Sequence, residues 1–123
     1  MKTFLYIGLL LSVACNKSND GDSTKPAISL TSPTANQQFS GFATVSLTGT
    51  IVDNDKLHEI HVYVINKATS AEVVHIHESS VNAPSYVINT SFVAQPATTY
   101  RIRIEADDNV GNESNVEIEV KAN

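Results

Sequence analysis

The chain has 123 residues, with 8 basic and 13 acidic side chains, a formal net charge of −5 and a single cysteine. Such a length suits one small domain. Proteins that bind nucleic acid carry an excess of Lys and Arg, so the acidic balance argues against nucleic acid as a partner. A single cysteine excludes an internal disulfide and every metal or redox motif that needs paired cysteines.

The chain begins with a segment that is typical of exported proteins. Lys2 gives a positive tip, an apolar run extends from Phe4 to Ala14, and Cys15 follows directly. The run is well short of the about 20 residues that a membrane-spanning helix needs, which favours a cleaved signal peptide. Its end, Leu11-Ser12-Val13-Ala14-Cys15, resembles the lipobox of bacterial lipoproteins.

The lipobox resemblance implies that residues 1–14 are removed and that the thiol of Cys15 becomes a lipid thioether. It therefore implies a membrane-anchored protein of the bacterial cell envelope, expected at the outer membrane, on a face that the sequence leaves open. An ordinary secreted protein that is cleaved elsewhere is the alternative. Residues 15–25 contain no apolar side chain after Cys15 and are predicted to form a flexible tether.

Apolar and polar residues alternate from Ala27 to the end of the chain, and no stretch shows the spacing of a helix. Because each strand then has one apolar and one polar face, two sheets must stack to bury the apolar faces. Residues 26–123 are predicted to form an all-β, seven-stranded antiparallel sandwich. The predicted strands are Ala27–Thr31, Ala43–Val52, Leu57–Ile65, Glu72–Glu78, Ser85–Val93, Thr99–Asp107 and Asn115–Lys121.

Three segments, Ile28–Pro33, Val52–Asp55 and Tyr100–Asn112, resemble bacterial immunoglobulin-like and fibronectin-type-III-like modules of cell-surface proteins. The resemblance covers roughly residues 26–122, and the whole chain resembles small lipoproteins built from one such domain. It implies an immunoglobulin-like sandwich. It also implies that the hydroxyl of Tyr100 bonds to nearby backbone at a corner of the fold, the alternative being an ordinary half-buried tyrosine.

Histidines are concentrated in one predicted hairpin. His75 and His77 are two residues apart in a strand and therefore share a face, while Val74 and Ile76 face the core. Pairing like faces across the hairpin sets His61 opposite His77. The three imidazoles of His61, His75 and His77 are enough for a copper or zinc site, to which Glu59 and Glu78 could add a carboxylate. A polar strand face without a metal is the alternative.

Acidic residues cluster at two other points of the chain. Asp53 and Asp55 follow the second predicted strand, and Asp107 and Asp108 precede the last one. In a seven-stranded sandwich these two segments lie at the same end. Calcium takes 6–8 oxygen ligands, so the four carboxylates are candidate calcium ligands. Ordinary turn chemistry, in which Asp and Asn side chains bond to their own backbone, is the alternative.

No catalytic motif occurs in the sequence, neither a nucleophile elbow nor a phosphate-binding loop. The expected function is therefore noncatalytic, without a required cofactor: a binding or assembly module for protein or glycan at the cell envelope. A histidine-based copper- or zinc-binding envelope lipoprotein is the alternative. An accessory subunit with no ligand of its own is a third option.

Overall fold

The computed structural model describes residues 21–123, so Cys15 and the predicted signal peptide lie outside the described residues. Residues 21–123 contain no helix that is long and apolar enough to cross a membrane. The strands are β1 (Ala27–Ser32), β2 (Gln38–Phe39), β3 (Thr44–Asn66), β4 (Glu72–Glu78), β5 (Ala83–Val93), β6 (Thr98–Asp108) and β7 (Glu113–Ala122).

The strands form two layers that share β3. The first half of β3 pairs antiparallel with β1 on one side and with β5 on the other. Its second half pairs antiparallel with β4 and β6, and β7 extends this larger sheet beyond β6. The short β2 lies at the far edge and runs parallel to β7. The predicted all-β sandwich is confirmed, with one parallel pair at its edge.

The second and third predicted strands, Ala43–Val52 and Leu57–Ile65, are one continuous strand, and β2 was not predicted. Residues 53–56, Asp-Asn-Asp-Lys, have the composition of a turn, which is why the sequence indicated a loop there. The backbone instead stays extended, and the pairing register shifts between Val52 and Leu57. This polar stretch carries β3 from one sheet into the other. β2 has only two residues, too few for an alternating pattern to be visible.

The core lies between the two layers and is apolar. Both halves of β3 contribute to it, together with β5, β6 and the end of β7; its fully buried large side chains are Tyr100, Leu47, Ile51, Leu57, Ile60, Ile88, Ile102, Ile104, Val45, Val62, Val64 and Val120. Gly49 allows β1 to approach β3 closely, because a Cβ atom at this position would lie 2.5 Å from the carbonyl oxygen of Ser29.

Tyr100 fixes the connection between β5 and β6. Its side chain is 1% exposed, and its ring packs edge-on against Phe92 with 5.0 Å between the ring centres. Its hydroxyl accepts a hydrogen bond of 2.9 Å from the backbone N–H of Gln95. A buried tyrosine needs such a partner for its hydroxyl. This is the contact to nearby backbone that the sequence resemblance implies for Tyr100.

Candidate functional site

The histidines lie on the outer face of the larger sheet, in the hairpin formed by β3 and β4. The turn of this hairpin is held by Asn66, whose Oδ1 accepts hydrogen bonds from the backbone N–H groups of Ala68 and Thr69. The pairing that the turn imposes sets His61 opposite His77 and Tyr63 opposite His75. The register predicted from the sequence is confirmed.

The rings of Tyr63, His61, His75 and His77, here called the histidine face, pack on one another. His61 stacks on His77 with 4.2 Å between ring centres and 15° between planes, and Tyr63 stacks on His75 at 4.6 Å. The side chain of His61 is 23% exposed, whereas that of His77 is 47% exposed. Stacking therefore holds the rings in place although the face is open to solvent.

Glu59 joins two of these histidines. Its Oε1 lies 2.6 Å from Nε2 of His77 and 3.3 Å from Nε2 of His61. The ligand atoms of Glu59, His61 and His77 all lie within 4.8 Å of one another. The hydrogen bond with His77 lowers the pKa of Glu59; partial burial opposes this shift, and the contact with His61 adds to it. Glu59 is thus held as a carboxylate between two imidazoles.

His75 has different partners. Its Nε2 lies 3.4 Å from Nδ1 of His61, and its Nδ1 lies 3.3 Å from Oε2 of Glu72. The converging set is therefore Glu59, His61 and His77 rather than the predicted set of His61, His75 and His77. Glu59 lies two residues before His61 on β3 and therefore shares its face, and it supplies the additional carboxylate that was considered from the sequence.

An open groove of about 280 Å³ runs beside this set and is strongly acidic. Glu59 and His61 line it together with the carboxylates of Glu105, Asp107 and Glu113. A second group of ligand atoms, from His58, Glu59 and Asp107, also meets within 4.8 Å and shares Glu59. Clefts lined by one sign of charge raise the local concentration of counter-ions, so this groove favours cations.

The acidic residues at the end of the sandwich lie in three separate places. Asp53 and Asp108 come together with Asp22, and their oxygens lie within 4.8 Å of one another. Asp55 instead lies 3.4 Å from the side-chain amide of Asn109. Asp107 turns toward the histidine side, where its Oδ1 accepts a hydrogen bond from the backbone N–H of Glu59. The predicted set of four carboxylates is therefore not brought together.

Asp22 was missed because it lies in the predicted tether, where the sequence carries no pattern that indicates a contact. Its Oδ1 accepts hydrogen bonds from Thr24 N–H at 2.9 Å and from the amide of Asn54 at 3.0 Å, and its carbonyl oxygen accepts one from Asn112. Oδ2 of Asp22 and Oδ1 of Asp53 are buried and have no hydrogen-bond partner among residues 21–123. The last residues of the tether therefore lie against the sandwich, and calcium binding at this end stays a prediction.

Asp108 organises the turn between β6 and β7. It is 2% exposed, and its carboxylate accepts hydrogen bonds from the N–H groups of Val110 and Asn112 and from the side-chain amide of Asn112. Burial alone would raise the pKa of Asp108, but these hydrogen bonds outweigh burial and hold the pKa below its ordinary value. For this residue the turn chemistry considered from the sequence is what the structure contains.

Solved structures with a similar fold include an engineered protein and a superoxide reductase. The chain matches an engineered protein with 17% identity and a TM-score of 0.52, over 80% of this chain and 20% of that one. It matches a superoxide reductase (neelaredoxin) from Ignicoccus hospitalis with 9% identity and a TM-score of 0.54, over 80% of each chain. The chain spans only a fifth of the engineered protein, and at these identities the likeness concerns the fold alone.

No curated protein matches the chain. A family model does: the bacterial Ig domain Big_7 matches residues 26–104, which is more than half of the chain. The match begins where the sequence predicted the domain to begin, and it covers the strands that build both sheets up to the centre of β6. The chain therefore belongs to the family of bacterial Ig domains, in agreement with the immunoglobulin-like sandwich predicted from its sequence.

Proposed function

We propose that this protein is a noncatalytic lipoprotein of the bacterial cell envelope that binds protein or glycan through its Ig-like domain. The observation that carries the proposal is the bacterial Ig domain over residues 26–104, because such a domain suggests a binding or adhesion module. The lipobox-like sequence that ends at Cys15 supports the anchor, and the polar residues after it support a tether.

The outer face of the larger sheet is the surface best suited to such binding. It presents the stacked rings of the histidine face beside the open acidic groove, on a broad surface made by β3, β4, β6 and β7. Aromatic residues such as Tyr63 are enriched at the centre of protein interfaces, and polar groups form their rim. An extended partner can lie across such a surface, whereas a small substrate is normally enclosed in a deep pocket.

Capture from an envelope extract tests this proposal. The full chain, purified in detergent and immobilised, is compared with Tyr63→Ala on the larger sheet and with Val87→Ser, an exposed site on the other sheet. We expect one protein or glycan to be enriched by the wild type and by Val87→Ser, and to be lost with Tyr63→Ala. The proposal is wrong if the wild type enriches nothing beyond a blank column.

The anchor gives a separate prediction. Replacing Cys15 with alanine removes the only thiol in the chain, so no lipid thioether can form. We expect Cys15→Ala to leave the signal peptide uncleaved or to release the protein from membranes, as measured by membrane fractionation and immunoblotting. Intact-mass analysis of the wild type provides the control, and an unmodified Cys15 in the mature protein would contradict the lipid anchor.

A second candidate function is copper or zinc binding at the envelope. One observation favours it: the ligand atoms of Glu59, His61 and His77 lie within 4.8 Å of one another. The two functions make different demands on the histidine face. Metal binding requires the imidazoles themselves, whereas capture of a protein or glycan requires the surface as a whole. Capture with and without a strong chelator separates them, because only a metal-dependent function is lost with the chelator.

A further inference from the structure

The distances between Glu59, His61 and His77 are close to those of a metal site. Zinc ligands lie at about 2.0–2.2 Å from the ion, which places tetrahedral ligands roughly 3.3 Å from one another. Oε1 of Glu59 lies 2.6 Å from one imidazole nitrogen and 3.3 Å from the other. Since all three side chains are at least partly exposed, small rotations about their side-chain bonds suffice to admit an ion.

We propose that Glu59, His61 and His77 bind one divalent transition-metal ion through Oε1 and the two Nε2 atoms, and that His75 is a positioning residue. This inference rests on the second of the two proposed functions and specifies its ligands. It differs from the expectation drawn from the sequence, in which His75 was itself a ligand.

The role of His75 follows from its two contacts. Glu72 has only acceptor oxygens when ionised, so the nearby Nδ1 of His75 is the nitrogen that carries the proton. Nε2 of His75 can then accept a hydrogen bond from Nδ1 of His61. In the metal-free protein Nε2 of His61 faces an acceptor oxygen of Glu59, and a bound ion takes the place of the proton between these two atoms. Once the ion is bound, the pair of Glu72 and His75 holds the tautomer of His61 that keeps its proton on Nδ1 and leaves Nε2 to the metal.

The residue types select the kind of metal. Imidazole nitrogens suit copper and zinc, whereas magnesium and calcium prefer oxygen ligands alone. The adjoining groove contains the carboxylates of Glu105, Asp107 and Glu113. They add negative charge beside the proposed site, but the nitrogen ligands come from His61 and His77 alone. Among divalent ions Cu(II) binds more tightly than Zn(II) to a given set of nitrogen and oxygen ligands. We therefore expect Cu(II) to bind most tightly, Zn(II) less tightly, and Mg(II) not at all.

Calorimetric titration of the full chain in detergent with CuCl₂, ZnCl₂ and MgCl₂ tests the site. Every protein carries Cys15→Ser, so that no thiol competes for the metal. His61→Ala, His77→Ala and Glu59→Gln should abolish binding of Zn(II). His75→Ala should weaken it by about 10–100-fold, the usual effect of removing a residue that orients a ligand. His58→Ala is the matched control on β3 and should bind like the wild type.

Electron paramagnetic resonance of the Cu(II) complex distinguishes a ligand from a positioning residue. Two nitrogens should couple to the copper in the wild type, and the same two should couple in His75→Ala. Three nitrogens in the wild type, with one lost in His75→Ala, would overturn the ligand assignment while leaving the second candidate function intact. Loss of binding in His58→Ala would assign the ion to the group of His58, Glu59 and Asp107 instead.

Absence of binding by the wild type to both Cu(II) and Zn(II) would overturn the inference and the second candidate function together. Thermal melts by circular dichroism accompany each variant, because a binding defect is informative only in a folded protein. His61→Gln replaces His61→Ala if the alanine variant melts early, since glutamine keeps a side chain of similar reach. Retained Zn(II) binding in a folded His61 variant would contradict the proposal.

Discussion

Replacing Ile104 with alanine is expected to lower the free energy of unfolding by about 2–5 kcal/mol, the usual cost of emptying a buried aliphatic site. Ile104 is 0% exposed and lies near the middle of β6. It is paired with Val62 of β3 and Val116 of β7. A cavity at this position removes contacts between the layers and is not readily filled, because Val62 belongs to a strand that is paired on both sides.

Urea denaturation followed by circular dichroism measures this effect. A small domain has about 5–15 kcal/mol of net stability, so the variant should show a clearly lower midpoint, and a large unfolded fraction if the wild type is at the lower end. Val87→Ala is the matched control, because Val87 is 68% exposed, and it should change stability by less than about 0.5 kcal/mol. A loss below about 0.5 kcal/mol for Ile104→Ala would mean that this face of β6 is not the core.

Replacing Asp108 with asparagine is expected to cost about 1.5–3 kcal/mol at neutral pH, the range for hydrogen bonds to a charged group. The asparagine oxygen can still accept from the N–H groups of Val110 and Asn112, as Oδ1 of Asp108 does. Its amide nitrogen, however, would replace the oxygen that now accepts from the amide of Asn112 at 2.7 Å. Two donors would then face each other in the turn.

The same variant has a defined dependence on pH. The pKa of Asp108 lies below its ordinary value of 3.8 in the folded protein, so the carboxylate is stabilised by folding. This contribution is fully present above the ordinary pKa and is lost as the pH falls through the lower, folded-state pKa. The stability difference between the wild type and Asp108→Asn should therefore shrink in acid. Asp55→Asn, at an exposed site, is the control, and a difference that stays constant down to about pH 2 would contradict the argument.

Much of the fold could be predicted because alternation with a period of two fixes which side chains are buried. Once Val74 and Ile76 are assigned to the core, the opposite face of β4 must carry His75 and His77. The pairing of His61 with His77 then follows from matching like faces across a short turn, and the structure contains this pairing. The immunoglobulin-like family was predicted from motifs at Ile28–Pro33, Val52–Asp55 and Tyr100–Asn112, and the family model agrees with that prediction.

The candidate site could be predicted only in part, because its remaining features depend on contacts between distant segments. Asp107 of β6 turns to the backbone N–H of Glu59 on β3, and the contacts of Asp22 result from a polar segment lying against the end of the sandwich. Residues 53–56 have the composition of a turn, but the two sheets on either side keep them extended. The amino-acid composition of a short segment does not reveal the constraints that the rest of the fold imposes on it.

The continuity of β3 through both sheets has a consequence for how the domain opens. Proteins often unfold locally in separate cooperative units, but here each sheet contains half of the same 23-residue strand. Neither sheet can then separate from the other while β3 stays intact, so the backbone amides of both halves should exchange with solvent in one shared event. A ligand bound to the outer face of the larger sheet makes that event rarer. It would thereby slow hydrogen exchange in the first half of β3 as well, in the sheet that the ligand does not touch.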